Sequence, residues 1–151
     1  MPSKLSSRRW VGAALVALSL GAAGCSVATS ATDGTAPEKP AKVEAIQGKN
    51  VKSVTLTEQA EKRVGVETTT VTLVSGALNV PYAAVLYTPD GGTWVYAVAG
   101  PRKYVREQVV VANVTGSVGE IAVLSGGPAA GTTVVKTGVI ELYGAELGVG
   151  K

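Results

Sequence analysis

Between Val80 and Ala99 the chain reads Val-Pro-Tyr-Ala-Ala-Val-Leu-Tyr-Thr-Pro-Asp-Gly-Gly-Thr-Trp-Val-Tyr-Ala-Val-Ala, two β-type runs joined by a segment suited to reversing direction. Pro89 presets φ for a turn, Asp90 can hydrogen-bond its own backbone, and Gly91 and Gly92 accept φ > 0. The spacing predicts a β-hairpin in which Thr88 faces Thr93. One face then pairs Tyr87 with Trp94, Val85 with Tyr96 and Ala83 with Val98; the other pairs Leu86 with Val95 and Ala84 with Ala97. The bulk falls on one side, and cross-strand aromatic pairs add about 0.2–1 kcal/mol each relative to Ala–Ala. The remaining globular part is expected to add strands to this hairpin.

Val51–Leu56 is a candidate first strand, followed by Thr57, a helix-capping residue, and the short helical stretch Glu58–Val64, with Gly65 placed to end it. Val66–Val74 is β-branched nearly throughout and predicts one strand, which Ser75-Gly76 breaks. Tyr104–Ala112 alternates as a strand, Asn113–Gly119 reads as a loop, and Ile121–Leu124 and Thr132–Lys136 are further strands around the glycine-rich loop 126–131. The tail Val139–Leu147 is expected to hold one helical turn, limited by its glycines. These elements predict an all-β fold, a small β-roll or partly open barrel of about six to eight strands with one short helix.

The first residues read as an export signal. Lys4, Arg8 and Arg9 form a basic start, Val11–Leu20 a short apolar core, and Gly21-Ala22-Ala23-Gly24 lead into Cys25, the single cysteine. The apolar run is shorter than the roughly 20 residues a membrane-spanning helix needs. Small residues directly before a lone cysteine resemble the lipobox of bacterial lipoproteins, in which the cysteine sulfur takes diacylglycerol and becomes the mature N-terminus. Ala22 stands where that motif usually has Leu, and Leu20 lies two residues early. The alternative is an ordinary secretory signal with Cys25 a free thiol, a reactive liability in an exported protein. Ser7-Arg8-Arg9 also resembles a twin-arginine signal. Residues 1–24 are thus assigned to the signal, 25–49 to a lipidated flexible tether rich in Ala, Thr, Ser, Pro, Lys and Glu, and 50–151 to the β domain. The expected location is the outer face of the cell membrane.

Charge and residue inventory narrow the chemistry. Removing Lys4, Arg8 and Arg9 from the 14 basic side chains leaves 11 against 11 acidic, so the mature chain is formally neutral. It offers no phosphate-tracking surface for nucleic acid; Arg102, Lys103 and Arg106 read as a solvated strand end. With no histidine and one cysteine, imidazole-based nucleophile pairs and metal sites are excluded. Glu107, Glu120, Glu141 and Glu146 read as solvated carboxylates, and the loop 126–131 lacks the Lys-Ser/Thr of a phosphate loop. No catalytic residue, cofactor or metal is expected. Tyr82, Tyr87, Trp94 and Tyr96 read as core filler in a chain without Phe; the alternative is a ligand platform of Trp94 and Tyr96.

From Val51 to Glu146 the chain resembles the periplasmic adaptor subunits, or membrane fusion proteins, of resistance-nodulation-division efflux pumps. Val54-Thr55-Leu56-Thr57-Glu58-Gln59 through Arg63-Val64-Gly65-Val66-Glu67-Thr68 is similar to the block opening the mature part of heavy-metal-type adaptors. Val80-Pro81, Ala84-Val85, Trp94–Val98, Val105-Arg106, Val109–Val111, Gly116, Val118, Ser125-Gly126, Ala130-Gly131, Val134-Val135 and Gly138 follow the family's membrane-proximal β-module, which docks on the permease. In full adaptors a lipoyl-like domain, an α-helical hairpin and a β-barrel separate the two blocks; here only Ser75–Asn79 stands between them. The resemblance implies a membrane-proximal domain alone, partnered by membrane lipid through Cys25 and by a permease, with Pro81, Glu141 and Tyr143 as candidate docking residues. The alternative is a stand-alone surface module that binds a ligand or cell-wall polymer.

Overall fold

A computed structural model describes residues 38–149. The signal stretch, Cys25 and the first half of the assigned tether lie outside the described residues. In chain order the elements are β1 (Ala41–Ala45), β2 (Lys52–Leu56), α1 (Glu58–Val64), β3 (Glu67–Thr70), β4 (Thr72–Val74), β5 (Ala77–Pro81), β6 (Leu86–Tyr87), β7 (Thr93–Gly100), β8 (Lys103–Gln108), β9 (Val110–Thr115), β10 (Ile121–Gly126), β11 (Thr133–Thr137) and α2 (Val139–Leu147). A 3-10 turn spans Tyr82–Ala84. The all-β class holds, with two antiparallel sheets and no closed barrel. The first runs β1-β2-β8-β7-β11-β3, with β6 also paired to β7; the second runs β4-β5-β10-β9.

The strand number exceeds the expected six to eight: β1 is added at the start, the 3-10 turn divides the first arm of the hairpin into β5 and β6, and two further predicted strands each divide between the sheets. Val66–Val74 becomes β3 in the first sheet and β4 in the second, and Tyr104–Ala112 becomes β8 and the start of β9 in the same way. At the two crossing points stand Val71 and Val109, 1% and 2% exposed. Their backbones stay bonded: Val71 N–H donates to Thr132 O, Gly131 N–H to Val71 O, and Val109 N–H to Thr93 O. Burying a valine side chain is worth about 1.5–3 kcal/mol, so each corner is pinned between the layers it joins. β9 also runs on to Thr115, where a loop was expected from Asn113.

The hairpin forms over two residue pairs only, one residue out of the predicted register. The expected pairs of Ala83, Ala84 and Val85 with β7 do not form, because Tyr82–Ala84 is a 3-10 turn and Ala97 faces Val134 of β11. Leu86 faces Trp94 and Tyr87 faces Thr93. The loop explains the slip: Gly91 N–H donates to Thr88 O and Thr88 N–H to Gly92 O, with Gly91 at φ 83°. This is a tight turn followed by a left-handed residue, and it removes Thr88 from the ladder. Because side chains alternate, a one-residue slip exchanges faces. Tyr87 is exposed, Leu86 is buried, and Val95 and Tyr96 are both buried on opposite faces of β7, so the bulk does not lie on one side. The Tyr87–Trp94 pair is replaced by Tyr82 against Tyr87, ring centroids 6.0 Å apart.

The central sheet is accordingly covered twice. Val54, Leu56, Leu86, Tyr96, Tyr104 and Val135 pack with Ala60 of α1 and with Val139 and Leu142 of α2. On its other side Val95 and Val134 pack with Val80, Ala122 and Leu124 of the second sheet. Both helices follow local signals. Thr57 Oγ1 accepts from Ala60 N–H at 3.2 Å, and Gly65 ends α1 at φ 68°, as its sequence predicts. The tail is corrected from one turn to the nine-residue α2. Gly138 starts it at φ 90°, and a Cβ there would stand 2.8 Å from Val64 Cγ1, so only glycine lets the chain leave β11 this close to α1.

A second correction concerns the stretch 25–49 read as tether. β1 pairs with β2 from Ala41↔Leu56 to Ala45↔Lys52, and Ala41 and Val43 pack against the core. Ala-Lys-Val-Glu-Ala alternates with period two; the Pro- and Ala-rich surroundings mask that signal.

Candidate functional site

α2 carries the densest polar arrangement of the domain. Val139, Leu142 and Glu146 recur at i, i+3 and i+7, the spacing of one helical face, and all three are buried. The carboxylate therefore enters the core facing β2, β7 and β8. Its Oε1 accepts from Lys52 N–H at 3.2 Å and Arg106 Nη2 at 2.9 Å. Its Oε2 accepts from Tyr96 Oη at 2.6 Å and Arg106 Nε at 2.8 Å. The two side chains keep 11% (Arg106) and 3% (Glu146) of their exposure. Above the guanidinium lie Trp94, 4.7 Å from its carbon, and Tyr143 at 5.2 Å, both within cation–π range.

Chemically this is a fastening. Both carboxylate oxygens are engaged by two donors each, as a bidentate arginine pair is built to be, and no lone pair is turned toward a substrate. The sequence reading of Glu146 and Arg106 as solvated groups is thus corrected; the i, i+3, i+7 relation to Val139 and Leu142 was the signal that reveals Glu146. Glu107, Glu120 and Glu141 join no acidic cluster: among the described residues no group of His, Cys, Asp or Glu is arranged to hold a metal.

The aromatic residues divide. Tyr96 is fully buried with its hydroxyl spent on Glu146, which removes it as a ligand platform. Trp94 is half-buried, and its indole N–H donates to Thr88 Oγ1 at 3.1 Å. The same hydroxyl donates to Asp90, and this bond, followed by the Gly92 N–H, holds the Asp90 carboxyl below its usual range. Beside Trp94 and Arg106 opens a polar cleft of about 520 Å³, bordered by Lys49, Asn50 and Gln108.

The candidate docking residues are not brought into one site. Pro81 ends β5 opposite Ile121 in the second sheet. Glu141 and Tyr143 lie on α2, which packs on the first; Glu141 is exposed, and Tyr143 is half-buried against the core and Arg106. What the sequence reading missed is the exposed side of α2. Ile140, Tyr143, Gly144 and Leu147 form a second stripe at i, i+3, i+4 and i+7, and Ile140 and Leu147 are 66% and 58% exposed.

Burial, then the hydrogen bond to Glu146, pushes the Tyr96 phenol far above the ordinary tyrosine value. Burial and the bond to Glu61 do the same to Tyr104. A raised pKa means that the folded chain keeps these protons while the unfolded chain releases them near pH 10. The associated stability is complete below about pH 10 and falls as pH rises beyond it. Urea midpoints across alkaline pH should decline accordingly, tyrosinate absorbance from these two rings should appear only with unfolding, and Tyr96→Phe should flatten the decline.

No family model, curated protein or solved structure matches the chain.

Proposed function

We propose that the chain is a lipid-anchored accessory protein that docks on an efflux permease of the resistance-nodulation-division type, with Cys25 carrying the lipid and the β domain making the contact. The observation that supports this reading is how the two blocks of the resemblance combine. The first block, Val54 to Thr68, lies in β2, α1 and β3; the second, Val80 to Gly138, runs from the end of β5 through β11. β2 pairs with β8 and β3 with β11, so the two blocks complete one sheet together. A membrane-proximal domain interrupted by inserted domains needs this assembly from both ends. At the point of interruption the chain turns through Ser75 and Gly76 alone, both at positive φ, which is the two-residue hairpin geometry. The buried carboxylate is occupied in holding α2, which fits a binding role.

The test is a mild-detergent pull-down of the tagged full chain from membranes, with mass spectrometry of its partners. Recovery of a large polytopic permease, lost on Cys25→Ala, is the expected result. Recovery of the chain alone in several detergents, with no permease, overturns the reading and turns attention to polymer binding at the Trp94 cleft.

A further inference from the structure

α2 is apolar on both sides, a pattern normally found in helices with partners all round. Its inner stripe meets the core and holds Glu146. Its outer stripe is Ile140, Tyr143, Gly144 and Leu147: Tyr143, with one side against the core and Arg106, borders it, Ile140 and Leu147 are largely exposed, Val149 just beyond the helix is 73% exposed, and a Cβ added at Gly144 would find no atom within 4 Å. The only charge on the exposed surface of the helix is Glu141.

The place where the chain enters the domain identifies what covers this stripe. Lys39, Pro40 and Ala41 line one apolar groove, of about 470 Å³, together with Ala145, Gly148 and Val149. The segment arriving from the N-terminal side therefore joins the domain at the C-terminal end of α2. Twelve residues lie between Cys25 and Glu38, and the thirteen residue steps from one to the other span at most about 45 Å. A lipid on Cys25 therefore keeps this end of the domain within that reach of the bilayer.

We infer that the outer stripe of α2 is a membrane-contact surface, with Ile140, Leu147 and Val149 entering the interfacial region of the bilayer and Tyr143 at the headgroup level. This inference rests on the lipid-anchor half of the proposed function. The surface is small. Three aliphatic side chains supply weak, reversible binding by themselves, so it acts when the anchor raises the local concentration, as single lipid chains act with a second signal. Its effect is to orient the domain with α2 on the membrane and the second sheet away from it.

The test uses the single cysteine. The full chain is coupled through Cys25 to maleimide-bearing lipid in phosphatidylethanolamine–phosphatidylglycerol vesicles, so the anchor exists whether or not the cell supplies one. Side-chain oxidation is then mapped by mass spectrometry. The expected result is loss of oxidation at Ile140, Leu147 and Val149 relative to the uncoupled chain, while Leu73 and Val118, exposed in and beside the second sheet, stay reactive. Ile140→Ser with Leu147→Ser should restore oxidation at Val149. Undiminished oxidation of the stripe on vesicles, or protection that appears without vesicles as protein concentration rises, overturns the inference, the latter in favour of a second copy as the occupant. Absence of a lipid on Cys25 in cells, by contrast, would count against the proposed function and leave this measurement readable.

Discussion

Replacing Glu146 with Leu is expected to destabilise the domain by about 3–5 kcal/mol, because it leaves a guanidinium buried without its anion. Arg106 keeps its aromatic neighbours, Trp94 and Tyr143, but these supply about 0.5–2 kcal/mol to a cation, less than the lost partner. The double substitution Glu146→Leu with Arg106→Met should recover most of the loss, since buried ion pairs replaced together by apolar side chains are often neutral or stabilising. Denaturant unfolding of the two single variants and the double variant gives the coupling directly. A Glu146→Leu cost below about 1 kcal/mol, the range of exposed pairs, would show that the pair is solvated and that α2 is held by packing alone.

Leu142→Ala is the second large effect. Leu142 is 1% exposed and joins α2 to the core of the first sheet beside Val139. Truncating a buried leucine costs about 2–5 kcal/mol, according to how far the cavity collapses. Hydrogen exchange should show where the loss falls. Amides of α2 are expected to open by a local route well before those of β7 and β8, because the helix is attached through one apolar stripe and one ion pair, whereas the strands carry ladders on both sides. Uniform loss of protection would mean that α2 unfolds only with the whole domain.

The elements legible in the sequence were those whose signal is local. Thr57 and Gly65 bracket α1 because capping is decided within four residues, and Ser75-Gly76 marks a turn because few residue pairs accept two positive φ values. The all-β class followed from β-branched runs separated by glycine. The hairpin register was misread because it depends on the Thr88 hydroxyl and the φ of Gly91, and a one-residue shift reverses every face. The divided strands were illegible for a different reason: Val66–Val74 is uniformly β-forming, and nothing local marks Val71 as the corner where the chain passes from one sheet to the other. Arg106 looked solvated because its partner lies 40 residues away. Ile140, Tyr143 and Leu147 were visible at helical spacing, but the glycines of the tail argued against a helix long enough to carry that spacing.

Cross-linking in intact cells reads whether the domain meets a permease at the membrane, before any extraction. With the full chain at its native level, amine-reactive cross-links from surface lysines such as Lys62, Lys103 and Lys136 are predicted to join it to the periplasmic part of a polytopic permease, and to vanish on Cys25→Ala. Cross-links confined to the chain itself or to cell-wall material, unchanged by that substitution, would contradict this docking.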